Sequence, residues 1–411
     1  MQQSLARIGH RAAAANRRAY EHSPLDFLMA AQRRHGDLFR FDDTVTVALH
    51  PEAVHHILHS TGRELALGGA GSPWSRVPAG ARTTFRTTTA VRAAPAIAAE
   101  FRATLDGCAG RPVDVFDTWI GACGRSLAGY CAGADAQARA VADLEAAVAE
   151  ETATGFRRRW ATRRRRRTTR AELWSAMAAA SAGPPAAGAP VEAFATAVAR
   201  RCPMMSRDDR SRLLGPVLTG AMVSPAATLA WSAFELARRP GERDLLRAEI
   251  ARAGLDEILR SPLRPDRRVL AFVKEILRHY CPPWMAEREV VRPWTFAGTT
   301  FAAGERLAFS PYVLHHDPRW WDRPDRFLPQ RWITGRRPHA KYAYRPFGGG
   351  ARTCPGASFG LVQAVTGVAV ALHHFDFEPD HEVRPQVHPA GVLAPYRASG
   401  AWRPRRTGPD Q

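Results

Sequence analysis

Lysine is almost missing from this chain, and so is any long uninterrupted apolar run. Arginine supplies all but two of the 58 basic residues, the exceptions being Lys274 and Lys341, and the formal net charge is +19. No run of about 18 apolar residues occurs, so the sequence predicts no membrane span. The Ala- and Arg-rich start over residues 1–20 has no apolar signal core, so we do not expect secretion.

Cysteine is also scarce, and its six copies show no C-x-x-C spacing. We interpret them as reduced thiols and expect a cytoplasmic location. The composition is 45% hydrophobic and 24% charged, which is typical of a soluble globular protein with a substantial core. The length of 411 residues permits either one large domain or several smaller ones.

The most informative stretch reads P-F-G-G-G-A-R-T-C-P-G over residues 346–356. Its consecutive glycines allow the backbone to turn tightly and to approach a flat ligand, because no Cβ stands in the way. An apolar helix is predicted over 357–372, and the N–H groups and positive dipole end at its start would stabilise a thiolate at Cys354. A lone Cys-Pro-Gly would favour a buried, inert cysteine, but the full spacing F-x-x-G-x-R-x-C-x-G is far rarer by chance.

This stretch resembles the haem-binding loop of the cytochrome P450 family. The resemblance implies a mainly α fold with a small β region, a single domain, and haem b (iron protoporphyrin IX), with its iron bound axially by the Cys354 thiolate. It also implies that Arg352 and Arg288 meet the haem propionates and that Phe347 shields the sulfur from water. The predicted cofactor-binding residues are Cys354, Arg352, Phe347, Gly348, Arg288 and Gly356, with Cys354 as the metal ligand.

A long apolar helical pattern follows the capping residue Ser206 and stops at Pro240, and it resembles the family's central helix across the haem face. Typical members carry A/G-G-x-D/E-T-T/S in this helix, where the acid and the alcohol deliver protons to dioxygen. In this chain Val223 replaces the acid and Ser224 replaces the threonine. Pro225 follows, and because it lacks an N–H it predicts a kink in the helix.

Valine cannot carry a proton, so the replacement at position 223 leaves three reactions open. The protein could remain a monooxygenase in which Ser224 or Thr219, together with water, supplies the protons. It could use peroxide, which brings its own protons. It could also run a coupling or rearrangement reaction that needs less proton delivery. Ser224 and Thr219 are therefore the candidate catalytic residues.

An E-x-x-R motif formed by Glu275 and Arg278 lies in a predicted helix over 268–280, with both charges on one face. Alone, the motif would indicate a surface ion pair. The sequence P-D-R-F follows at 324–327, as it does in the family. The resemblance therefore predicts a structural triad of Glu275, Arg278 and Arg326 beneath the haem.

Two further segments resemble the family's substrate-binding elements. The sequence C-P-P-W-M over 281–285 matches a strand entry that lines the pocket, and the turn over 388–395 matches a second one. The predicted pocket residues are Met222, Val223, Trp284, Met285, Gly391 and Val392. The two histidines of S-P-Y-V-L-H-H-D-P, over 310–318, are expected at the surface or against a propionate.

The N-terminal half predicts a helix over 24–35, a hairpin over 37–49 and a helix that begins at Pro51, in the order found in the family. The family's W-x-x-x-R motif is missing from the segment that follows. Arg82 and Arg86 remain as candidates to meet the propionates, and the alternative is that both are ordinary surface arginines.

We predict an N-terminal tail over residues 1–23 and a catalytic domain over 24–411. A dense arginine block over 157–167 falls near the family's lid helices, and it is either a solvated face or a patch for a partner. The lid interval looks short compared with the family, which would leave a more open substrate channel.

The function that this resemblance implies is a haem-thiolate monooxygenase that hydroxylates or epoxidises an apolar small molecule, in natural-product and possibly terpenoid metabolism. A ferredoxin or flavodoxin would supply the electrons.

The positive charge reflects either Arg-rich codon usage or a basic surface that steers an acidic redox partner. Nucleic-acid binding is not expected, because no recognised module accompanies the charge. A non-catalytic P450-like partner protein is the other class, and Cys354 argues against it because such proteins commonly lack the cysteine.

Overall fold

The computed structural model describes residues 6–7, 13–66, 87–132, 203–204, 206–350, 353–382, 384, 386–387, 392–395 and 397–405. Its helices are α1 (Ala13–His22), α2 (Pro24–His35), α3 (Pro51–Ser60), α4 (Thr87–Arg92), α5 (Ala94–Cys108), α6 (Val115–Ala132), α7 (Arg207–Arg238), α8 (Pro240–Ala253), α9 (Leu255–Arg260), α10 (Arg268–His279), α11 (Pro311–His316) and α12 (Ala357–His374). Its strands are β1 (Ala6–Arg7), β2 (Leu38–Arg40), β3 (Val45–Ala48), β4 (Leu65–Ala66), β5 (Pro112–Asp114), β6 (Ala286–Val290), β7 (Trp294–Phe296), β8 (Thr299–Phe301), β9 (Arg306–Phe309), β10 (Phe375–Pro379), β11 (Gln386–Val387), β12 (Leu393–Ala394) and β13 (Ser399–Pro404). The predicted class, mainly α with a small β region, is confirmed.

The chain divides into two compact units. The first consists of Met1–Arg76, Leu277–Leu328 and Gly335–Cys354, and the second of Val77–Ile276, Pro329–Thr334 and Pro355–Gln411. The boundary between a tail over 1–23 and a domain from residue 24 stays a prediction. Strand β1 and helix α1 both lie in that first segment, and β1 pairs in parallel with β2.

The first unit is built on a six-stranded mixed sheet with the strand order β1-β2-β3-β9-β6-β4. β2 and β3 form the predicted hairpin, and β3 continues the sheet by pairing in parallel with β9. The apolar core of this unit joins Leu307 and Phe309 of β9 to Val54 and Ile57 of α3. α3 begins at Pro51 as predicted, because a proline at the first helical position lacks only an N–H that has no partner inside the helix.

The second unit is organised around α7, a helix of 32 residues that confirms the long apolar pattern. α12 and α5 approach it closely: a Cβ on Gly367 would lie 2.5 Å from Leu229 Cδ2 and 3.2 Å from Phe101 Cδ2. A side chain at position 367 would require the Leu229 side chain to shift. The indole Nε1 of Trp231 donates to the carbonyl of Leu393 at 3.2 Å, which ties α7 to β12. Pro225 lies inside the continuous helix, and the kink stays a prediction.

α12 begins at Ala357, which confirms the helix predicted after Gly356. By length and composition it could cross a membrane, and among the described residues it is the one helix that meets both conditions. However, 67% of it is buried inside the protein. Its buried side chains, which include Val362, Val365 and Val370, belong to the core of the second unit.

Candidate functional site

The loop that carries Cys354 is held by its own main-chain hydrogen bonds. The Gly348 N–H donates to the Arg345 carbonyl at 3.2 Å and closes a turn, and Gly348 has a φ of +70° that glycine adopts without strain. The Cys354 N–H donates to the Phe347 carbonyl at 2.9 Å. The cysteine is therefore fixed to the start of the loop, and Cys354 is exposed while Phe347 is half-buried.

Gly350 is the position in this loop where only glycine fits. Its φ is +65°, and a Cβ there would overlap the carbonyl oxygen of Leu58 near the end of α3. The sequence explained the glycines by the approach of a flat ligand. At Gly350 the structure supplies a different reason, because here the loop backbone approaches another segment of the protein.

Cys354 also differs in exposure from the buried cysteines of the described chain. Burial raises the pKa of the Cys108, Cys123 and Cys281 thiols, which keeps them protonated. Cys354 is exposed by contrast, and α12 begins three residues further along the chain with no side chain capping its N-terminus. A thiol must be accessible to bind a metal, and of the four cysteines whose side chains the structure describes, Cys354 is the exposed one.

Arg278 of α10 donates hydrogen bonds to backbone carbonyl groups at the end of α11 and in the segment that follows it. Its Nη1 donates to the His315 carbonyl at 2.9 Å and to the Pro324 carbonyl at 2.8 Å, and its Nη2 donates to the Arg326 carbonyl at 3.0 Å. Arg278 is fully buried, so these charge-assisted bonds form away from water. The predicted structural role of Arg278 agrees with these contacts.

A guanidinium that contacts Glu275 belongs to Arg331, a residue that the predicted triad did not include. Arg331 Nε lies 3.3 Å from Glu275 Oε1, and the Trp332 indole Nε1 donates to Oε2 at 2.8 Å. Both partners are buried, with side-chain exposures of 7% for Arg331 and 0% for Glu275. Arg326 is exposed and offers Arg278 its backbone carbonyl. The signal for Arg331 was P-Q-R-W over 329–332, a second P-x-R-aromatic motif just after the P-D-R-F that was chosen.

Arg288 is buried at 5% exposure in β6. Its Nε donates to Thr61 Oγ1 at 3.0 Å, its Nη1 donates to the Glu287 carbonyl at 2.7 Å, and its guanidinium lies over the Phe309 ring at 5.4 Å. These contacts hold the cation in one position. Its contact with a haem propionate stays a prediction.

In the substituted motif of α7, two apolar residues come directly before a serine in the sequence. Met222 and Val223 are buried, whereas Ser224 is half-buried. The Ser224 carbonyl accepts a hydrogen bond from Thr228 Oγ1 at 2.9 Å, and the Ser224 hydroxyl has no hydrogen-bond partner among the described residues. Ser224 can therefore take a new partner. For Thr219 the structure describes only the helical backbone.

One predicted pocket residue of the first unit, Met285, lines a cavity of about 310 Å³. Met285 lines it together with Tyr20, Phe41 and Val47, and most of the lining is apolar. Trp284 is buried, and its carbonyl accepts a hydrogen bond from Ser310 Oγ at 2.6 Å. In the second unit Val392 is also buried.

The histidine pair of α11 does not lie at the surface as expected. His315 is fully buried and His316 is half-buried. His315 Nδ1 lies 3.1 Å from the Arg278 carbonyl, and its Nε2 accepts from the Arg345 N–H at 2.9 Å. Because both ring nitrogens are used by backbone groups, neither is available to a propionate in this arrangement.

Several predicted residues lie outside the described part of the chain. They are Arg82, Arg86, Arg352, Gly391 and the arginine block over 157–167 with the adjoining lid segment. Their assignments stay predictions.

The cysteine loop offers one accessible metal-binding side chain, that of Cys354. Among the described residues no group of three or more His, Cys, Asp or Glu is arranged to hold an ion, whereas a protein-bound zinc site commonly needs three or four. One accessible cysteine on a fixed loop suits the axial position of a haem iron. The residues of the loop therefore fit the predicted cofactor.

Comparison with known proteins gives the same family throughout. Residues 194–398 match the family model described as cytochrome P450. Cyclooctatin synthase from Streptomyces melanosporofaciens is 32% identical over 190 residues, which are 44% of this chain and 40% of that protein. The putative cytochrome P450 132 of Mycobacterium bovis is 33% identical over 178 residues, 41% of this chain and 38% of that protein. Dihydroniloticin synthase from Azadirachta indica is 28% identical over 187 residues, 44% of this chain and 36% of that protein.

In these matches the chain covers 40% or less of each relative's own length. The fold comparison extends much further. The crystal structure of the cytochrome P450DA haem domain superimposes with a TM-score of 0.78 and 18% identity, covering 98% of both chains. A mutant of the same haem domain superimposes with a TM-score of 0.72 and 16% identity, and it also covers 98% of both chains. Because one haem domain covers nearly the whole chain, the predicted single-domain fold is confirmed.

Proposed function

The chain belongs to the cytochrome P450 family, and from that premise we propose that it is a haem-thiolate monooxygenase acting on an apolar small molecule. The observation that carries this proposal is the exposed Cys354, with its N–H bound to the Phe347 carbonyl at 2.9 Å on a loop where Gly350 can only be glycine. A protein without the cofactor has no evident need for an exposed cysteine fixed in this way.

The family implies a haem, and we propose haem b. Cys354 would bind the iron, and Arg288 and Arg352 would meet the propionates. When bound, haem supplies the one-electron and dioxygen chemistry that no amino-acid side chain provides, and thiolate ligation favours O–O cleavage. The contribution of this chain is to hold the thiolate in place and to hold or deliver protons.

Proton delivery is the step for which the sequence is unusual. The half-buried Ser224 carries a hydroxyl next in sequence to the buried Met222 and Val223, and it is the residue that we propose relays protons with the help of water. Thr219 is the second candidate. Val223 would limit the access of bulk water to the hydroxyl without taking part in proton transfer.

We propose a natural-product substrate, with a terpenoid skeleton as the specific case. The apolar lining of the cavity beside Met285 suits a hydrophobic molecule, and two relatives are named as synthases of single organic products. We also propose a ferredoxin or flavodoxin as electron donor and a cytoplasmic location. The buried free thiols of Cys108, Cys123 and Cys281 support a reducing compartment.

The test is the absorption spectrum of the reduced protein with carbon monoxide, which reports a thiolate axial ligand. The purified protein should give the thiolate-type band. Cys354→Ser should lose it, while Cys108→Ala, a cysteine with no proposed role, should keep it. Haem binding without the band in the parent protein would contradict the proposal. Failure to bind haem at all would instead support the non-catalytic partner class.

A peroxide-driven or non-oxygenating reaction is the second candidate, and the buried Val223 followed by Pro225 favours it. Turnover should be compared with peroxide and with a reductant, oxygen and ferredoxin, using the same substrate panel. Val223→Asp restores the family's acid, and Val223→Asn is its matched neutral control. If Val223→Asp alone raises the oxygen-driven rate relative to the peroxide-driven rate, then proton supply limits the parent protein. Oxygen-driven turnover of the parent with no peroxide activity would exclude this candidate.

A further inference from the structure

His315 connects two segments of the first unit through opposite sides of one buried ring. Its Nδ1 lies 3.1 Å from the carbonyl of Arg278 at the end of α10. Its Nε2 lies 2.9 Å from the backbone N–H of Arg345, directly before the loop that carries Cys354. The side chain is fully buried, so water cannot replace either partner in the folded protein.

These two contacts determine the protonation state of the ring. A backbone N–H can only donate, so Nε2 must carry a lone pair, and a carbonyl can only accept, so Nδ1 must carry the hydrogen. The imidazole is therefore neutral. Burial, with the nearby charge of Arg278, holds the pKa of His315 well below its usual range, which agrees with this assignment.

The hydrogen bond to Arg345 is the first of a short series that ends at the cysteine. The Arg345 carbonyl accepts from the Gly348 N–H at 3.2 Å, and the Phe347 carbonyl accepts from the Cys354 N–H at 2.9 Å. Arg278 also holds the backbone of the same residue, because its Nη1 donates to the His315 carbonyl at 2.9 Å. The geometry of the loop thus starts from a rigid anchor on α10.

We propose that His315 is a positioning residue for Cys354, which sets the start of the cysteine loop by accepting the Arg345 N–H. The inference rests on the proposed function in so far as Cys354 is the iron ligand. It predicts that His315 acts through the backbone of Arg345 and touches neither substrate nor cofactor. Without its acceptor the part-buried Arg345 N–H would be unpaired, and the loop would move to satisfy it.

Two substitutions with amide side chains test the two hydrogen bonds of the His315 ring separately. A glutamine at position 315 places its terminal amide where Nε2 now lies, so its oxygen can accept from Arg345 while the Arg278 carbonyl loses its donor. An asparagine reaches only as far as Nδ1, so its N–H can serve Arg278 while Arg345 loses its acceptor. Each variant removes one buried hydrogen bond, and both should lower the urea midpoint of unfolding to a similar extent.

The experiment measures hydrogen exchange at the Arg345 amide, together with the thiolate-type fraction of the reduced carbon monoxide spectrum. We expect His315→Asn to speed exchange at Arg345 on the order of tenfold and to lower the thiolate fraction. His315→Gln should leave both close to the parent. His316 provides the matched control, because its Nδ1 contacts the Tyr312 carbonyl of its own helix at 2.9 Å. His316→Asn should change neither readout.

The outcomes distinguish this proposal from the proposed function. If His315→Asn and His315→Gln change exchange at Arg345 equally, or if neither changes it, His315 does not position the loop and the proposal is overturned. If only His315→Asn speeds exchange but the parent gives no thiolate-type band, then His315 positions the loop and it is the assignment of Cys354 as iron ligand that fails. Faster exchange with an altered thiolate fraction in His315→Asn alone supports both.

Discussion

Glu275 shows how a single buried charge depends on its partners. Its carboxylate is fully buried and is contacted by Arg331 at 3.3 Å and by the Trp332 indole at 2.8 Å. Removing one partner of a buried ion pair leaves an uncompensated charge, which costs more than the pair itself contributes. The structure therefore adds Arg331 to the arginines on which the buried Glu275 depends.

Replacing Arg331 with methionine, which keeps the length but removes the charge, should lower the free energy of unfolding by about 3–5 kcal/mol. The same substitution at Arg326 should cost less, because that side chain is exposed to water and its backbone carbonyl still accepts from Arg278. Urea unfolding of both variants checks this. The double variant with Glu275→Gln should recover part of the loss. An equal loss for the Arg331 and Arg326 variants would show that the triad was correct as first predicted.

The cysteine loop is the element whose shape depends most on individual glycines. The φ angle is +70° at Gly348 and +65° at Gly350. An alanine at either position would be strained by roughly 1–2 kcal/mol, because this region disfavours residues with a Cβ. They differ in what surrounds them. A Cβ at Gly348 meets nothing within 4 Å, whereas a Cβ at Gly350 overlaps the Leu58 carbonyl. The pair therefore separates backbone strain from a steric clash.

Gly350→Ala should push the loop away from α3 and sharply lower both haem retention and the thiolate-type fraction. Gly348→Ala should show only the moderate loss of stability expected from strain. The thermal midpoint and the haem content after gel filtration measure the two effects. If Gly348→Ala loses haem as completely as Gly350→Ala, then strain and not the contact with Leu58 controls the loop.

The elements that the sequence predicted well are those whose own pattern determines them. α2, α3, α7 and α12 each follow an apolar repeat with a proline or glycine at an end, and their bounds agree closely with the expectation. The prediction of the triad left out Arg331, because P-x-R-aromatic occurs twice within a few residues and the first copy alone was considered. Which arginine is buried depends on how the chain folds back on α10, and local sequence does not carry that information.

The prediction for His315 of α11 is wrong for a related reason. His315 and His316 are adjacent in the sequence and chemically identical, so composition gives no means to tell them apart. A short helix turns one ring into the core and leaves the other half-buried, since successive residues are about 100° apart. The acceptor role of His315 Nε2 then depends on Arg345, which lies 30 residues further along the chain.

On the scale of the whole molecule, the net charge of +19 has two explanations that composition alone does not separate. Arginine-rich codon usage would add charge without any partner. A basic surface for an acidic ferredoxin would raise the rate of encounter by electrostatic steering, and salt would suppress that rate. The two explanations therefore predict different dependence on ionic strength.

If the charge serves a partner, KM for an acidic ferredoxin should rise on the order of tenfold between low salt and physiological salt, because the screening length falls from about 30 Å to about 8 Å. Peroxide-driven turnover of the same substrate is the internal control, since it needs no protein partner and should change little. Steady-state assays at several salt concentrations measure both. A KM for ferredoxin that does not depend on salt would favour codon usage as the origin of the arginines. Equal salt effects on both reactions would point to a change in the protein itself, because steering can act only on the encounter between two charged molecules.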